Sequence, residues 1–246
     1  MRFAELTAPE IRDIDRAGTL VVAPIAACEQ HSQHLPTLTD SILVGAVAEG
    51  LERTRSIEVL LLPVLWLGAS QHHLPFGGTL TATLPTYEQM LVDLIAPLLR
   101  GGFRRVLLLN GHGGNIDPLH VALRRLDVEF PEAILTGAAY WELAEAEIAA
   151  LCEGPRKSVG HACEVETSLM LHLRPDLVRL DRIAKEPPDI SLAGLFWARD
   201  FSRRTRQGAI GYPEHADAGR GRLMLEAIIE RVVHTADEVS RLPLPD

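Results

Sequence analysis

The run Thr19-Leu20-Val21-Val22-Ala23-Pro24-Ile25-Ala26-Ala27 is apolar without alternation, and this pattern most limits how the chain can fold. A strand with one wet face alternates apolar and polar residues; this one needs cover on both faces, as in a parallel sheet. Similar segments follow: a second buried strand over 58–66, then 105–109, then 133–139. Helical stripes lie between them. Thr39 or Asp40 can cap a helix bearing Ile42, Leu43, Ala46, Val47 and Leu51. Thr86 and Gln89 read as a capping box ahead of Met90, Leu91, Leu94, Ile95, Leu98 and Leu99, which Gly101-Gly102 stops. Asn115 can cap a third helix over 116–127. The order β-α-β-α-β-α-β predicts a three-layer α/β/α fold with a mostly parallel central sheet, and we read residues 1–246 as one such domain.

Two stretches stand outside that rhythm. Residues 68–84, GASQHHLPFGGTLTATL, suit an ordered loop near a site, and 185–220 reads as a long covering loop with Phe196 and Trp197, before a C-terminal helix at 220–240.

Composition narrows the function classes. A formal charge of −9 with no basic, aromatic-interleaved block argues against a nucleic-acid partner. The start, MRFAELTAPEIRDID, carries acids where a signal peptide needs a basic end and an apolar run, and no segment reaches membrane-span length, so a soluble cytoplasmic protein without a membrane partner is expected. Cys28, Cys152 and Cys163 cannot all pair within one chain and match no zinc-ribbon or CxxC spacing.

Three segments carry chemistry. Glu29-Gln30-His31-Ser32-Gln33-His34-Leu35-Pro36, with Asp40 beyond, sets carboxylates and imidazoles directly after a buried strand. In an extended loop Glu29 and His31 point the same way, and divalent ions accept such mixed oxygen and nitrogen donors. Asn110-Gly111-His112-Gly113-Gly114-Asn115 places one imidazole at a strand end, without a P-loop lysine, which favours a metal or proton-transfer role over a nucleotide. Gly160-His161-Ala162-Cys163-Glu164-Val165-Glu166-Thr167-Ser168 leads into a helical stripe, with His161 and Glu164 three apart on one face. Glu164 and Glu166 lie about 200° apart around such a helix, so one metal does not use both equally. The plainer readings are a polar loop, a structural turn and acids favouring a helix N-terminus.

Taken in order, and with Phe76-Gly77-Gly78-Thr79 and Gly208-Ala209-Ile210-Gly211-Tyr212-Pro213, these motifs resemble the creatininase (creatinine amidohydrolase) family over most of the chain. The resemblance implies two divalent ions per subunit, Zn2+ and/or Mn2+ with Fe2+ as a further option. Glu29 and His112 would hold one, His31 the other, and Asp40 would bridge both. Creatininases proper supply a glutamate two residues after the histidine of the Asn-Gly-His turn, where this chain has Gly114. The sequence is therefore similar to the Asn-Gly-His-Gly-Gly-Asn type of the family, and Glu164 is the expected replacement ligand, with Glu166 in reserve. Ser32 and Leu38 stand where many members have glycine, and Gln71-His72-His73 fills a variable part of the substrate loop, so the resemblance does not tie the substrate to creatinine. It also implies a homo-oligomer, commonly a hexamer.

The expected activity is cleavage of a C–N bond in a cyclic amide, a formamide or a short peptide by a metal-activated water. His161 is the expected proton shuttle to the leaving nitrogen, and Glu166 the alternative acid or base. Rival readings are a thiol hydrolase using Cys28 or Cys163 and a non-catalytic binding protein of the same fold. His34, His72 and His73 read as loop residues or partners of ligands, and Trp141 as core.

Overall fold

The computed structural model describes residues 1–183, 185–186, 188 and 196–245. The expected covering loop over 185–220 therefore lies in part outside the described residues. After a short helix α1 (Ala8–Arg12) the chain alternates β1 (Leu20–Ile25), α2 (Thr39–Thr54), β2 (Val59–Leu61), α3 (Leu84–Arg100), β3 (Arg105–Asn110), α4 (Ile116–Glu129) and β4 (Ile134–Ala139). Helices α5 (Glu145–Leu151), α6 (Glu164–Leu173) and α7 (Ala218–Arg241) complete it. The four strands form one parallel sheet in the order β2-β1-β3-β4.

The unalternating run is explained by two cores. Leu20, Val22, Leu107 and Leu109 face a cluster with residues of α2, α5, α6 and α7, whereas Val21, Ala23, Ile25, Val106 and Leu108 face one built from α3 and α4. Successive side chains of a strand point to opposite faces, so a sheet packed on both sides is apolar at every position. The architecture is three-layered α/β/α. At about 25 cal/mol per Å² of apolar surface, each fully buried leucine or valine of β1 is stabilised by about 1.5–3 kcal/mol relative to exposure.

Prolines set where the ladder stops. Pro24 sits in a central strand, yet its carbonyl accepts from Leu65 N at 2.9 Å, so its missing N–H also falls on the β2 side and the β1–β3 ladder is unbroken. Strand β2 is shorter than the expected 58–66: Pro63 interrupts pairing after Leu61, which resumes only as a bridge between Ile25 and Leu65. Three caps also differ from expectation. Thr83, not Thr86, caps α3, accepting from Thr86 N, while Gln89 donates to Asp93 at 2.8 Å. Thr39 is already helical and donates to Pro36 O. Asn115 gives its side chain to other partners, described below.

Residues 68–84 hold a 3-10 helix, Gln71–Phe76, and α7 runs slightly longer than the expected helix. Among the described residues, no helix is long and apolar enough to cross a membrane.

A buried carboxylate and histidine cluster at the strand ends

The site lies at the carboxyl edge of the sheet, where open α/β folds gather loops from several strands. β1 ends at Ile25 and delivers Glu29 and His31; β3 ends at Asn110 and delivers His112; Asp40 comes from the first turn of α2. His161 precedes α6, and Glu166 is in its first turn. Exposure is 1% for Glu29, 0% for His31, 2% for Asp40, 4% for His112 and 5% for Glu166, so every charge here needs a partner of opposite sign.

The donors converge in three overlapping groups, two of them sharing Asp40 and the third made of Glu29, His31 and His161. His112 Nδ1 lies 3.1 Å from Glu29 Oε1 and 3.3 Å from Asp40 Oδ2. On the other side of Asp40, His31 Nε2 lies 3.0 Å from Asp40 Oδ1 and 3.8 Å from Glu166 Oε1. The sets Glu29, Asp40, His112 and His31, Asp40, Glu166 each bring one donor atom per residue within 4.8 Å of the others, and Asp40 is common to both.

Despite these short distances, Glu29 Oε2, His31 Nε2 and Asp40 Oδ2 find no hydrogen bond of acceptable geometry. An unsatisfied buried polar atom costs about 1–3 kcal/mol, and a cation between them would satisfy all three. The distal imidazole nitrogens fix the tautomers. His31 Nδ1 lies 3.2 Å from Glu29 O, and His112 Nε2 lies 3.2 Å from Ala69 O and from Ser70 Oγ. Each ring thus donates outward and turns its other nitrogen to the cluster, as a metal-ligating histidine does. The donor set of imidazole and carboxylate suits a divalent first-row ion.

Titration follows the same logic. Burial raises Glu29, with the charge of His112 opposing and that of Asp40 reinforcing the shift. Burial alone would lower His31, but the Asp40 carboxylate raises it well above the ordinary histidine value; His112 is likewise lifted to about 10 against burial, by Glu29 and Asp40. Asp40, although burial opposes it, is held far below its usual range by His31 and His112. Asp40 and Glu29 thus hold positive charge on His31 and His112, and those charges in turn keep Asp40 ionised, whereas the rise of Glu29 comes first from its burial.

The glycine-rich turn owes its shape to sterics. Asn110 Oδ1 accepts from His112 N and Asn115 Nδ2, while Asn115 also donates to Ala26 O and accepts from Ala69 N, tying the turn to β1 and the 68–70 loop. A Cβ on Gly111 would stand 2.8 Å from Val44 Cβ. One on Gly114 would collide with Ala69 O and lie 2.5 Å from His112 Nε2, so this backbone cannot carry a carboxylate at 114. Ser32 adopts φ 56, in the left-handed region that glycine occupies most readily.

One expected residue is turned away. Glu164 is buried, but its carboxylate accepts from Glu153 N at 2.8 Å and Gly154 N at 2.9 Å, with Arg220 at 3.9 Å. The side of α6 that carries Glu164 also carries Ser168, whose hydroxyl accepts from Asp217 N at the start of α7. Docking that side on α7 turns Glu166, about 200° around the helix, to the sheet edge. The expected placement of Glu164 at the cluster is corrected on this geometry, and Glu166 is the residue found there.

His161 Nε2 donates to Gln30 O at 2.7 Å, and Nδ1 lies 3.4 Å from Glu29 Oε1. Burial, reinforced by the charge of His31, holds its pKa well below the ordinary value. Its neighbour Ala162 is left-handed at φ 46, and a two-way backbone bridge to Ile210 anchors His161. The 208–213 motif serves this seat: Gly208 O accepts from Gln30 Nε2, and Gly208 has φ 93.

Sequence reasoning gave His73 and Gln30 too little weight. His73 is 1% exposed, with Nδ1 2.9 Å from Gln30 Nε2 and Nε2 3.3 Å from Glu29 Oε2. The alternating Glu-Gln-His pattern held the signal, since a residue between two ligands points the opposite way and needs its own buried partners. His34, by contrast, pairs with Thr167 at 2.9 Å. All three cysteines are buried and free, and burial together with Glu166 pushes the Cys163 thiol up to about 12.

Two cavities meet at the cluster. A small one of about 170 Å³ reaches Asp40, Glu166 and Trp141. A larger one of about 680 Å³ shares Glu29, His112 and His161 with it and opens past His72, Phe201 and Trp197. Trp141 thus lines the site while packing edge-on against Tyr140, 5.1 Å between centroids.

Comparison with known proteins gives a consistent result. The family profile described as Creatininase, creatinine amidohydrolase, matches residues 4–236. A creatinine amidohydrolase of Pseudomonas putida is 30% identical over 95% of both chains. A mycofactocin precursor peptide peptidase of Mycobacterium tuberculosis is 29% identical over 92% of this chain and 87% of its own. Among solved structures, a manganese form of creatininase superposes with a TM-score of 0.83 at 28% identity, covering 98% of this chain and 99% of that one. A zinc–zinc form of a creatininase variant gives 0.81 at 27% identity, covering 98% of each.

Proposed function

Because the chain belongs to the creatininase family, we propose that it is a metal-dependent hydrolase that opens an amide-type C–N bond. The observation that carries the reading is the pair of buried donor groups sharing Asp40, with orphaned lone pairs on Glu29, His31 and Asp40. Glu29, Asp40 and His112 would hold one divalent ion, and His31, Asp40 and Glu166 a second. Zn2+ and Mn2+ both suit these donors. Bound there, the ions would supply Lewis acidity and a water acidic enough to attack at neutral pH. Steric exclusion of a side chain at Gly114 supports assigning the chain to the glycine-pair branch of the family, with Glu166 in place of the missing glutamate.

The protein's own groups supply the remainder. A neutral His161, its Nε2–H committed to Gln30 O, turns Nδ1 toward the cluster and can take a proton from the attacking water and return it to the leaving nitrogen. His73, itself paired with Gln30, faces Glu29 Oε2 at 3.3 Å. The donor side chains themselves are buried, which strengthens each charge interaction among them.

Creatinine, a formamide and a short peptide screened against metal-loaded protein test the reading. Hydrolysis should disappear on chelation, return with Zn2+ or Mn2+, and survive in Cys28→Ser and Cys163→Ser. Protein that binds no metal and shows no metal-stimulated turnover would overturn it. Loss of activity in either cysteine variant, with chelation harmless, would favour a thiol hydrolase instead.

A further inference from the structure

Gln30 is buried between Glu29 and His31 and reaches two motifs with no residue in the cluster, Phe76-Gly77-Gly78-Thr79 and the 208–213 segment. Its backbone N donates to Thr79 Oγ1 at 3.1 Å. Its side chain is held at both ends by backbone: Oε1 accepts from Ser32 N at 2.8 Å, and Nε2 donates to Gly208 O at 3.1 Å. Those partners settle which end of the amide is nitrogen, because a backbone N–H only donates and a carbonyl only accepts. A Cβ on Gly208 would collide with Gln30 Oε1, so this glycine leaves the room that the amide occupies.

One amide hydrogen goes to Gly208 O, and the second is left for His73 Nδ1, 2.9 Å away. A ring nitrogen that accepts is unprotonated, which puts the single proton of His73 on Nε2, facing the orphaned Glu29 Oε2 at 3.3 Å. At His161 the backbone carbonyl of Gln30 decides. A bare ring nitrogen 2.7 Å from that oxygen would repel it, so Nε2 carries the proton, and its 3.1 Å approach to Gln30 Nε2 is a packing contact. We propose that Gln30 is a positioning residue that fixes the tautomers of both histidines, presenting an N–H of His73 to Glu29 and a bare Nδ1 of His161 to the cluster. A donor behind a ligating carboxylate is worth about 10–100-fold in metal affinity; a bare nitrogen in its place would repel the same oxygen. The effect on an ion rests on the metal-dependent hydrolase reading, and the two tautomers do not.

Neutron diffraction from crystals of the deuterated protein, with and without Zn2+, reads the tautomers directly. Deuterium should lie on Nε2 of His73 and of His161, with both Nδ1 atoms bare; deuterium on Nδ1 of either ring would overturn the proposal. Gln30→Met keeps length and neutrality but has no N–H to give. Competitive Zn2+ titration should find one ion bound about tenfold more weakly in this variant, the one assigned to Glu29, Asp40 and His112, with the other held as in the wild type. Gly208→Ala, which displaces the amide without altering Gln30, should repeat that loss. His73→Phe should show it too, and adding Gln30→Met to His73→Phe should weaken the ion little further, because the two act through one path. A fall in Tm with both affinities unchanged in Gln30→Met and Gly208→Ala marks an amide that only braces the loop, and would overturn the proposal. The neutron map needs no variant and decides even where Gln30→Met fails to fold. Both tautomers as assigned in a protein that binds no ion would remove the hydrolase reading and leave the tautomers standing; metal-dependent hydrolysis with deuterium on either Nδ1 would do the reverse.

Discussion

Glu164→Gln and Glu166→Gln exchange the same atoms two residues apart and should fail in different ways. In Glu164 both carboxylate oxygens accept, from Glu153 N and Gly154 N. An amide keeps one acceptor and sets its NH2 against a backbone donor, leaving a buried donor unpaired at about 1–3 kcal/mol. For a chain of this length, about 2–4 °C in Tm accompanies each kcal/mol, so Glu164→Gln should lower Tm by several degrees with metal content unchanged. Glu166 makes one weak backbone contact, accepting from Cys163 N at 3.4 Å, while Oε1 faces His31 and Asp40. Its amide should leave Tm in excess chelator nearly unaltered. Loss of a mere hydrogen-bond partner of a ligand costs about 10–100-fold in metal affinity; loss of the ligand itself should exceed that, more than about 2.7 kcal/mol. Elemental analysis after dialysis should therefore find two ions per chain in the wild type and in Glu164→Gln, but one in Glu166→Gln, with hydrolysis reduced at least a hundredfold. The opposite pattern, metal lost from Glu164→Gln and kept in Glu166→Gln, would refute the placement of α6 argued above.

Two further outcomes follow from the same geometry. Gly114→Ala should push against Ala69 O and the His112 ring, costing about 1–3 kcal/mol and depressing metal affinity, read by chemical denaturation and by metal titration; a wild-type-like variant would show that the turn yields. Cys163 binds its proton more tightly folded, at about 12 against 9.0, so the native state holds a proton the unfolded chain loses and stability falls as pH rises above 9. By pH 10.5 this amounts to about 2 kcal/mol, and Cys163→Ala should flatten that decline in denaturation curves taken between pH 8 and 10.5.

Which parts of this molecule its sequence reveals depends on how local the cause is. The sheet was legible because burial on both faces leaves an unbroken apolar run, and the longer helices announce themselves by periodicity, whereas the short α1 and α5 carry too few turns to show one. Cap positions were not, since Thr83 and Thr86 are both plausible until the Leu84-Pro85 start is seen. At the site, Glu29, His31, Asp40 and His112 meet because each follows a strand or opens a helix at one edge of the sheet, a consequence of topology. The choice between Glu164 and Glu166 has another origin. Helical geometry says from sequence alone that the two point apart, but which faces inward is a matter of helix phase, set by how α6 docks on α7. That docking is decided at Gly221, where a Cβ would run into Ser168 O, and at Asp217 N, which donates to Ser168 Oγ. Both lie some fifty positions downstream of the glutamates they orient, in a segment with no site residue of its own. Gly221 within Gly-Arg-Gly is the one trace of that contact in the sequence, and its small size signals close approach without naming the partner. An error of 200° in phase is thus the natural failure of reading a helix before its neighbour is known, and Gly221→Ala, by forcing α6 and α7 apart, should disturb metal binding through Glu166 from a position far outside the cluster.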